Sequence, residues 1–424
     1  MDSNSKLNTY LTGNYKPRKQ TQSKKLLRTK QAGFAIAIVL CAILLLFVIG
    51  IGLSGIGMHR RAFAVQTCSG IAARCAADAG LTKALLEMNE KLKVKPWDDS
   101  SLPYATDESL PGCDATLSYT VTGDRHNGYN IASVGKYGQQ VKEVSCSLKL
   151  ESPFDTAIFG KEMISLKPGT TIDSYNCEIP DGCLKIGTES TLAGTVIARS
   201  GVTIDGDVFV GPGADPDAVI DSRHEAVITG TTYALDEEFQ TPAIKIPQYL
   251  QNLPSIGVIT NSMTLYGPTR CEKIELGNGQ TLTIDGPVDL YCNGSCTFDV
   301  LSSLLIVDAN VNPDAYLNLY LDGDFTAKNS SAINNCTKDP RKLKIYGLEN
   351  CTTIDFLIES IFYGAIYAPA ADVVLRKSVE VYGAVIANSF TQQVSADFHY
   401  DASLIEGSVT DEMVSFVIKQ WSED

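Results

Sequence analysis

From Ala32 to Met58 the chain runs for 27 residues without a charged side chain, most of them Ala, Ile, Leu, Val and Gly. As an α-helix rising about 1.5 Å per residue, this run reaches roughly 40 Å and exceeds the ~30 Å hydrocarbon core of a bilayer. Residues 32–58 therefore read as a transmembrane helix. A secretory signal has a core of only about 7–15 apolar residues, which this run exceeds.

Charge sets the orientation. Residues 1–30 carry eight Lys or Arg and one acid, Asp2, although the whole chain has 35 Lys+Arg against 49 Asp+Glu and a net charge of −14. Only His59, Arg60 and Arg61 follow the apolar run directly. The positive-inside rule keeps the basic leader, 1–31, in the cytoplasm and exports the acidic remainder. That acidity argues against a nucleic-acid partner. Eleven of the twelve Cys then lie where disulfides persist, and Cys41 lies in the membrane.

Residues 59–95 continue the helix. The stretch has no Pro and much Ala, and apolar residues recur at Leu81, Leu85, Met88 and Leu92 in steps of three or four. This predicts one helix from about Gly33 to Leu92, apolar first and amphipathic later. The basic leader ending in LRTKQAG, Gly33 followed by Phe34, the aliphatic run and Ala76-Ala77-Asp78-Ala79-Gly80-Leu81 together resemble the N-terminal module of type IV pilin-like proteins, particularly PilX-type minor pilins and pseudopilins. The resemblance implies cleavage between Gly33 and Phe34 by a prepilin peptidase. It also implies that Ile38, Leu44, Leu45, Leu46 and Phe47 lie in the membrane or the filament core. Major pilins carry Glu at the fifth mature position, where this chain has Ile38, so a low-copy or tip place is expected rather than the repeating shaft. The implied location is the bacterial cytoplasmic (inner) membrane, single-pass, with the body periplasmic or at the cell surface. The implied partners are the membrane and other pilin-like subunits or pilus and secretion assembly proteins.

Residues 96–152 read as a small α+β region: a turn-rich segment, then ATLSYTVTG, YNIASVG and VKEVSCSLKLE alternating with period two. Beyond it, short strands end in Gly at 206, 230, 267, 286, 323, 347, 364 and 383. Their spacing, with two doubled steps, is about 17–24 residues, the size of one coil of a parallel β-solenoid. The fold class expected is mainly β: a long N-terminal transmembrane helix, a small α+β region and a β-solenoid (β-helix) over 153–405. An excursion is expected at 233–254, where three Pro interrupt the period, and a tail at 406–424. Gly or Asn is expected to supply positive φ at the corners. The rival class is a β-sandwich. Asp173-Ser174-Tyr175-Asn176, VTIDGDVFVGPGA and FYGAIYAPAADVVLRKSVEVYGAVIANSF, with His399-Tyr400-Asp401, resemble a bactofilin-related β-helix domain found beside PilX-type anchors. His399-Tyr400-Asp401 is expected to cap the last coil, with Asp173–Asn176 at the opposite end.

Motifs of chemistry are sparse. The chain has four His and lacks HExxH, CxxC, a Walker loop and GxSxG. No enzyme activity, cofactor or metal is expected. A polysaccharide-active enzyme built on Asp285, Asp299, Asp308, Asp322 and Asp324 is the catalytic rival, against the reading of Asp as a corner residue. An envelope scaffold with an uncleaved signal anchor is the structural rival. Tyr266, Tyr346, Tyr363 and Tyr382, each just before a strand-ending Gly, are expected to stack along one face as a partner surface, with a surface glycan as the candidate ligand. Local spacing suggests disulfides between Cys113 and Cys146, Cys177 and Cys183, Cys292 and Cys296, and Cys336 and Cys351.

Overall fold

The computed structural model describes residues 34–95, 97–124, 127–177, 184–328, 331–357, 361–409 and 411–423. The described chain divides into two units between Cys68 and Ser69. Helix α1 spans Phe34–Leu92 and belongs to both. In the first unit its described surface is apolar and open: Ile38, Leu44, Leu45, Leu46 and Phe47 are each more than half exposed. The helix is long and apolar enough to cross a membrane.

In the second unit α1 is amphipathic. Ala73, Ala77, Leu81, Ala84, Met88 and Leu92 fall three or four apart and are buried. They pack on an antiparallel sheet of β1 (Tyr104–Ser109), β2 (Thr116–Asp124), β3 (Gly128–Tyr137), β4 (Gln140–Glu151) and a final strand, Ser415–Glu423. Alternation places Leu117, Tyr119 and Val121 of β2, Tyr129 and Ile131 of β3 and Val144 and Leu148 of β4 beneath the helix. Gly135 permits the approach: a Cβ there would sit 2.0 Å from the Ala73 carbonyl oxygen and 2.4 Å from the Ala77 nitrogen. The segment 406–424, expected as a tail, thus contributes the strand that pairs with β4. Everything between is inserted between two neighbouring strands of the sheet.

That insertion is mainly parallel β structure. Its strands pair with strands one period away in the chain: Thr269–Cys271 with Pro287–Cys292, then Tyr316–Leu321, Leu343–Gly347 and Ile361–Leu375. A second parallel sheet joins Met263–Leu265, Thr281–Ile284, Ser303–Ile306 and Ala332–Asn335 in the same order. Successive rungs keep like residues over like, so that Cys296, Phe325, Ile354, Val373, Phe390 and Ile164 form one buried column.

The rungs do not follow chain order from end to end. Ile158–Leu166, the first strand, pairs on one side with Lys185–Thr188 and on the other with Glu380–Gln392, nearly the last. From this start the chain climbs through Asp207–Val210 to Thr232–Ala234. It returns past the whole stack through residues 235–254 and then builds back toward its start. The return is held at intervals: Phe239 stacks on Phe159 at 4.1 Å, Tyr367 donates to the Pro242 carbonyl at 2.8 Å, and Tyr249 donates to Asp289 at 2.5 Å. The expected excursion is this return.

Two expectations change as a result. His399-Tyr400-Asp401 does not close an end, and Asp173–Asn176 does not lie opposite to it. The two segments are register partners in the middle of the stack, His399 opposite Asp173 and Asp401 opposite Tyr175. Most of the strand-ending glycines answer to close approach of neighbouring rungs, although Gly286 and Gly383 also have positive φ, 155° and 158°, and a Cβ at Gly267 would meet nothing within 4 Å. Gly230 lies over Gly206 and Gly383 over Gly364, where a Cβ would meet the backbone of the rung below at 2.4 Å and 1.7 Å. They are small because neighbouring rungs touch there. Corners with positive φ are found instead at Gly169, Gly201, Gly213 and Gly279 and at non-glycine residues such as Leu301 and Ser378.

Candidate functional site

Outward positions on the parallel strands form columns as the inward ones do. One column carries Arg270, Tyr291, Tyr320, Tyr346 and Tyr367 in register. Aromatic rings on an outer face are stable only when covered, and these are: Tyr320, Tyr346 and Tyr367 are fully buried under the return segment and the 406–416 segment. Tyr320 and Tyr346 stack at 5.2 Å.

The cover over the middle of this column is polar. Lys95, just past α1, donates to the Val409 and Asp411 carbonyls at 2.6 Å and 2.8 Å. Glu412 accepts from the Tyr320 hydroxyl at 2.8 Å, and its backbone N–H donates to the Tyr346 hydroxyl at 3.2 Å. Lys344 pairs with Asp411, both nearly inaccessible. Asp289 accepts from Tyr249 and from Asn318, the latter at 2.9 Å. Two lysines thus face three carboxyls in a joint between the sheet and the parallel body.

Burial dominates the titration of this joint. It pushes the Asp289 carboxyl up against the opposing bonds from Tyr249 and Asn318, and it pushes Glu412 up against Lys95 and the Tyr320 bond. It lowers the Lys95 ammonium, with Glu412 and Asp411 opposing. Beside the joint opens a polar cavity of about 320 Å³ lined by Tyr316, Asn318, Arg341, Lys344, Glu406 and Asp411 among others. Arg341 is held there by Asp339 at 2.9 Å. Perturbed carboxyls beside a cavity mark this as the candidate functional site. Its chemistry is that of a proton-sensitive joint. Sequence reasoning missed it, because Lys95, Asp289, Lys344 and Glu412 are far apart in the chain and share no motif.

The expected tyrosine ladder divides. Tyr346 belongs to the covered column, and Tyr266 is 68% exposed. Tyr363 and Tyr382 do stack, at 4.6 Å, and the stack continues onto His399 at 4.6 Å with Tyr175 edge-on to Tyr382 at 5.5 Å. His399 Nδ1 lies 2.5 Å from Asp173 Oδ1, and Tyr382 donates to Glu380 at 2.7 Å. Register explains the split: Tyr346 lies opposite Tyr367, not Tyr363, because Gly347 and Gly364 sit in different columns. Tyr400 and Asp401 turn away from His399, Tyr400 to the Phe154 carbonyl at 2.7 Å and Asp401 to the Ser403 N–H at 2.9 Å.

The suggested cysteine pairs fare differently. Cys113 is exposed and Cys146 buried under the helix, both as free thiols; Cys336 is exposed and Cys351 buried, again both free. Cys292 and Cys296 are free and buried. In the first two pairs the alternating strands and corners send the two members to different environments, one exposed and one buried, whereas Cys292 and Cys296 share one. Cys177 does not stand as a free thiol, and Cys183 lies outside the described residues. Gly33 also lies outside them, and Phe34 is the first helical residue described.

Each of the five aspartates weighed for catalysis accepts a hydrogen bond, Asp299 and Asp308 within their own corner and Asp285, Asp322 and Asp324 from a neighbouring rung. Asp285 accepts from Asn312 at 3.0 Å, Asp299 from the Val300 N–H at 2.8 Å, Asp308 from the Asn310 N–H at 2.8 Å, Asp322 from Asn350 at 2.9 Å and Asp324 from the Thr352 N–H at 3.0 Å. Among the described residues, no group of three or more His, Cys, Asp or Glu is placed to hold a metal ion.

A family model described as a domain of unknown function, DUF7305, matches residues 270–406, about a third of the chain. No curated protein matches. Among solved structures, the competence-associated pilin ComZ from Thermus thermophilus is similar at 13% identity and a TM-score of 0.25, covering 84% of this chain and 97% of that one. An ice-binding protein from the Antarctic ascomycete Antarctomyces psychrotrophicus is similar at 14% identity and a TM-score of 0.24, covering 60% of this chain and 97% of that one. The ice-binding protein 1 domain of Shewanella frigidimarina is similar at 14% identity and a TM-score of 0.25, covering 58% and 95%.

Proposed function

We propose that this chain is a membrane-anchored, pilin-like minor subunit that displays a β-solenoid body outside the cytoplasmic membrane, as part of a type IV pilus or type II secretion-like assembly. The observation that carries the reading is the divided character of α1. Its first part presents bare apolar side chains, and its second buries an Ala-rich stripe under a five-stranded antiparallel sheet. A helix of that kind suits a subunit that waits in a bilayer and then packs its apolar part against the helices of other subunits.

The parallel body sits between two adjacent strands of the sheet, tethered at both ends, as a displayed domain would be. The cytoplasmic leader, export of the body, processing after Gly33 and the PilX-type and bactofilin-related resemblances belong to the same reading. So does a structural, priming or adhesive role without catalysis. Mass spectrometry of the native N-terminus tests it: a mature chain beginning at methylated Phe34 is expected. An intact Met1 would replace the pilin pathway with a signal-anchored envelope protein.

A scaffold that associates through its parallel body is the second reading. It draws on the terminal rung, where Ile256, Val258 and Tyr266 are exposed. Light scattering of the purified protein in detergent, with those three residues replaced by Lys or Ser, distinguishes it: only a scaffold would lose mass.

A further inference from the structure

Three thiols meet at one end of the parallel body. Cys271 closes the strand Thr269–Cys271, and Cys292 closes its neighbour Pro287–Cys292; the two are register partners. Cys296 opens the next strand, beyond the corner Asn293-Gly294-Ser295. All three are fully buried. The Cys292 thiol donates to the Gly294 carbonyl at 3.2 Å, inside the corner that separates it from Cys296.

The rung that carries Cys271 is terminal. Among the described residues its strands Val258–Ile259, Met263–Leu265 and Thr269–Cys271 pair with strands on one side, and a single bridge from Ser255 to Arg270 touches the other. Stacked rungs draw stability from both neighbours, so a terminal rung is the first to open. Opening this one would bare Leu265, Ile274 and Leu282.

We propose that Cys271 and Cys292 form a disulfide that rivets the terminal rung to the next, leaving Cys296 as a reduced third thiol. The proposal rests on the exported placement of the body, since disulfides persist outside the cytoplasm. Neighbouring strands lie about 4.8 Å apart, which puts register partners within the ~4.4–6.8 Å Cα window of a disulfide. A Cys292–Cys296 bond would close only a corner that the chain already holds. A Cys271–Cys292 bond closes a whole rung and so removes far more freedom from the open state.

The step balances by exchange with an extracytoplasmic disulfide donor. The thiolate of Cys292 attacks one donor sulfur and breaks the donor's S–S bond, giving a mixed disulfide and one donor thiol. The thiolate of Cys271 then displaces the second donor thiol and forms the Sγ–Sγ bond. Two protons and two electrons pass from the cysteines to the donor, which leaves as two thiols.

Trypsin separates the candidates, because it cuts after Arg270 and Lys273 and next after Lys328. Alkylated, non-reduced full-length protein isolated from its native membrane should give the peptide Cys271–Lys273 linked to Ile274–Lys328, released by reductant. C296S should keep the linked peptide and C271S should lose it. Reduction should lower the thermal midpoint of the wild-type protein by more than that of C271S, which keeps the bond at Cys177 and loses only that one. An unlinked Cys271 both in the native protein and after incubation with glutathione disulfide overturns the proposal, as does a bond confined to Cys292 and Cys296. A native protein reduced at Cys271 that gains the linked peptide with glutathione disulfide supports the pairing and overturns the exported placement instead.

Discussion

The side-chain amide of Asn89, near the end of α1, makes both backbone hydrogen bonds of Phe416: its Nδ2 donates to the Phe416 carbonyl at 3.1 Å, and its Oδ1 accepts the Phe416 N–H at 2.7 Å. Phe416 lies in the last strand of the antiparallel sheet, with β4 on one side. Asn89 therefore acts as a short stand-in for the next strand and satisfies an edge that would otherwise be open. It also ties the helix to a residue 327 positions away in the chain. Replacing Asn89 by Leu removes two half-buried bonds at about 1 kcal/mol each, for a loss of about 2 kcal/mol. Urea denaturation of the full chain in detergent should show this as a lower midpoint at unchanged slope, and an unchanged midpoint would refute the role.

The contact of α1 with β3 depends on the missing side chain at Gly135. A Cβ there would meet the helix backbone at 2.0 Å, and backbone cannot yield as a flexible side-chain end can. G135A should cost at least the ~1–3 kcal/mol typical of an overpacked core. G138A, at a turn with open space around it, is the control for chain entropy, although its φ of 60° adds some strain. Far-UV circular dichroism with thermal melting should show the G135A midpoint falling well below that of G138A.

The buried pair of Lys344 and Asp411 should behave asymmetrically. Asp411 also accepts from the Ser408 N–H at 2.9 Å, so it orders the turn before the final strand as well as meeting the lysine. K344M strands a buried carboxylate and should cost about 3–5 kcal/mol. K344M/D411L, which removes both charges, should recover much of that loss. A double variant no better than K344M would show that the Ser408 bond, not the ion pair, dominates the site.

Much of the fold was legible in short-range pattern. The uncharged run at 32–58 and the three-and-four spacing of Leu81, Leu85, Met88 and Leu92 each report a local periodicity that the structure keeps as helix, and the recurring short strands are kept as parallel strands. The expected 17–24-residue period is not kept: Glu380 and Asp397 are register partners 17 residues apart, whereas Cys296 and Phe325, and Phe325 and Ile354, are 29 apart because longer corners join those rungs. What pattern could not reveal is the order of stacking. Pairing Ile158–Leu166 with Glu380–Gln392 needs the return of residues 235–254, and a Pro-rich stretch signals a departure without saying where it lands. The tyrosines failed for a related reason: a Gly after a strand marks close contact between rungs, and such contact occurs in more than one column. The polar joint was invisible because its members converge only when the last strand folds back onto β4.

That joint should tune stability with pH, and the sign follows from its two raised carboxyls. Asp289 and Glu412 have ordinary values of 3.8 and 4.5, and burial lifts both in the folded protein. Between those values and the lifted ones the folded state holds more protons than the unfolded state. Their contribution is therefore complete below about pH 4 and is lost as pH rises through the lifted values. Lys95, lowered by burial from its ordinary 10.5, acts in the opposite sense, adding stability as pH rises toward that value. Lys344, Asp411, Tyr320 and Tyr346 face the same space, and Asp289 and Glu412 act in the opposite sense to Lys95 in the whole-protein profile. The difference between wild type and E412Q isolates one of them. The amide can still accept from Tyr320 but carries no charge at any pH, so E412Q should gain stability relative to wild type as pH climbs from 4 toward neutral. Urea midpoints measured at half-unit steps from pH 4 to 8 would show the gap opening in that direction. A gap that stays constant would mean that Glu412 titrates alike in both states, and a gap that closes would mean that its carboxylate is the favoured form in the joint.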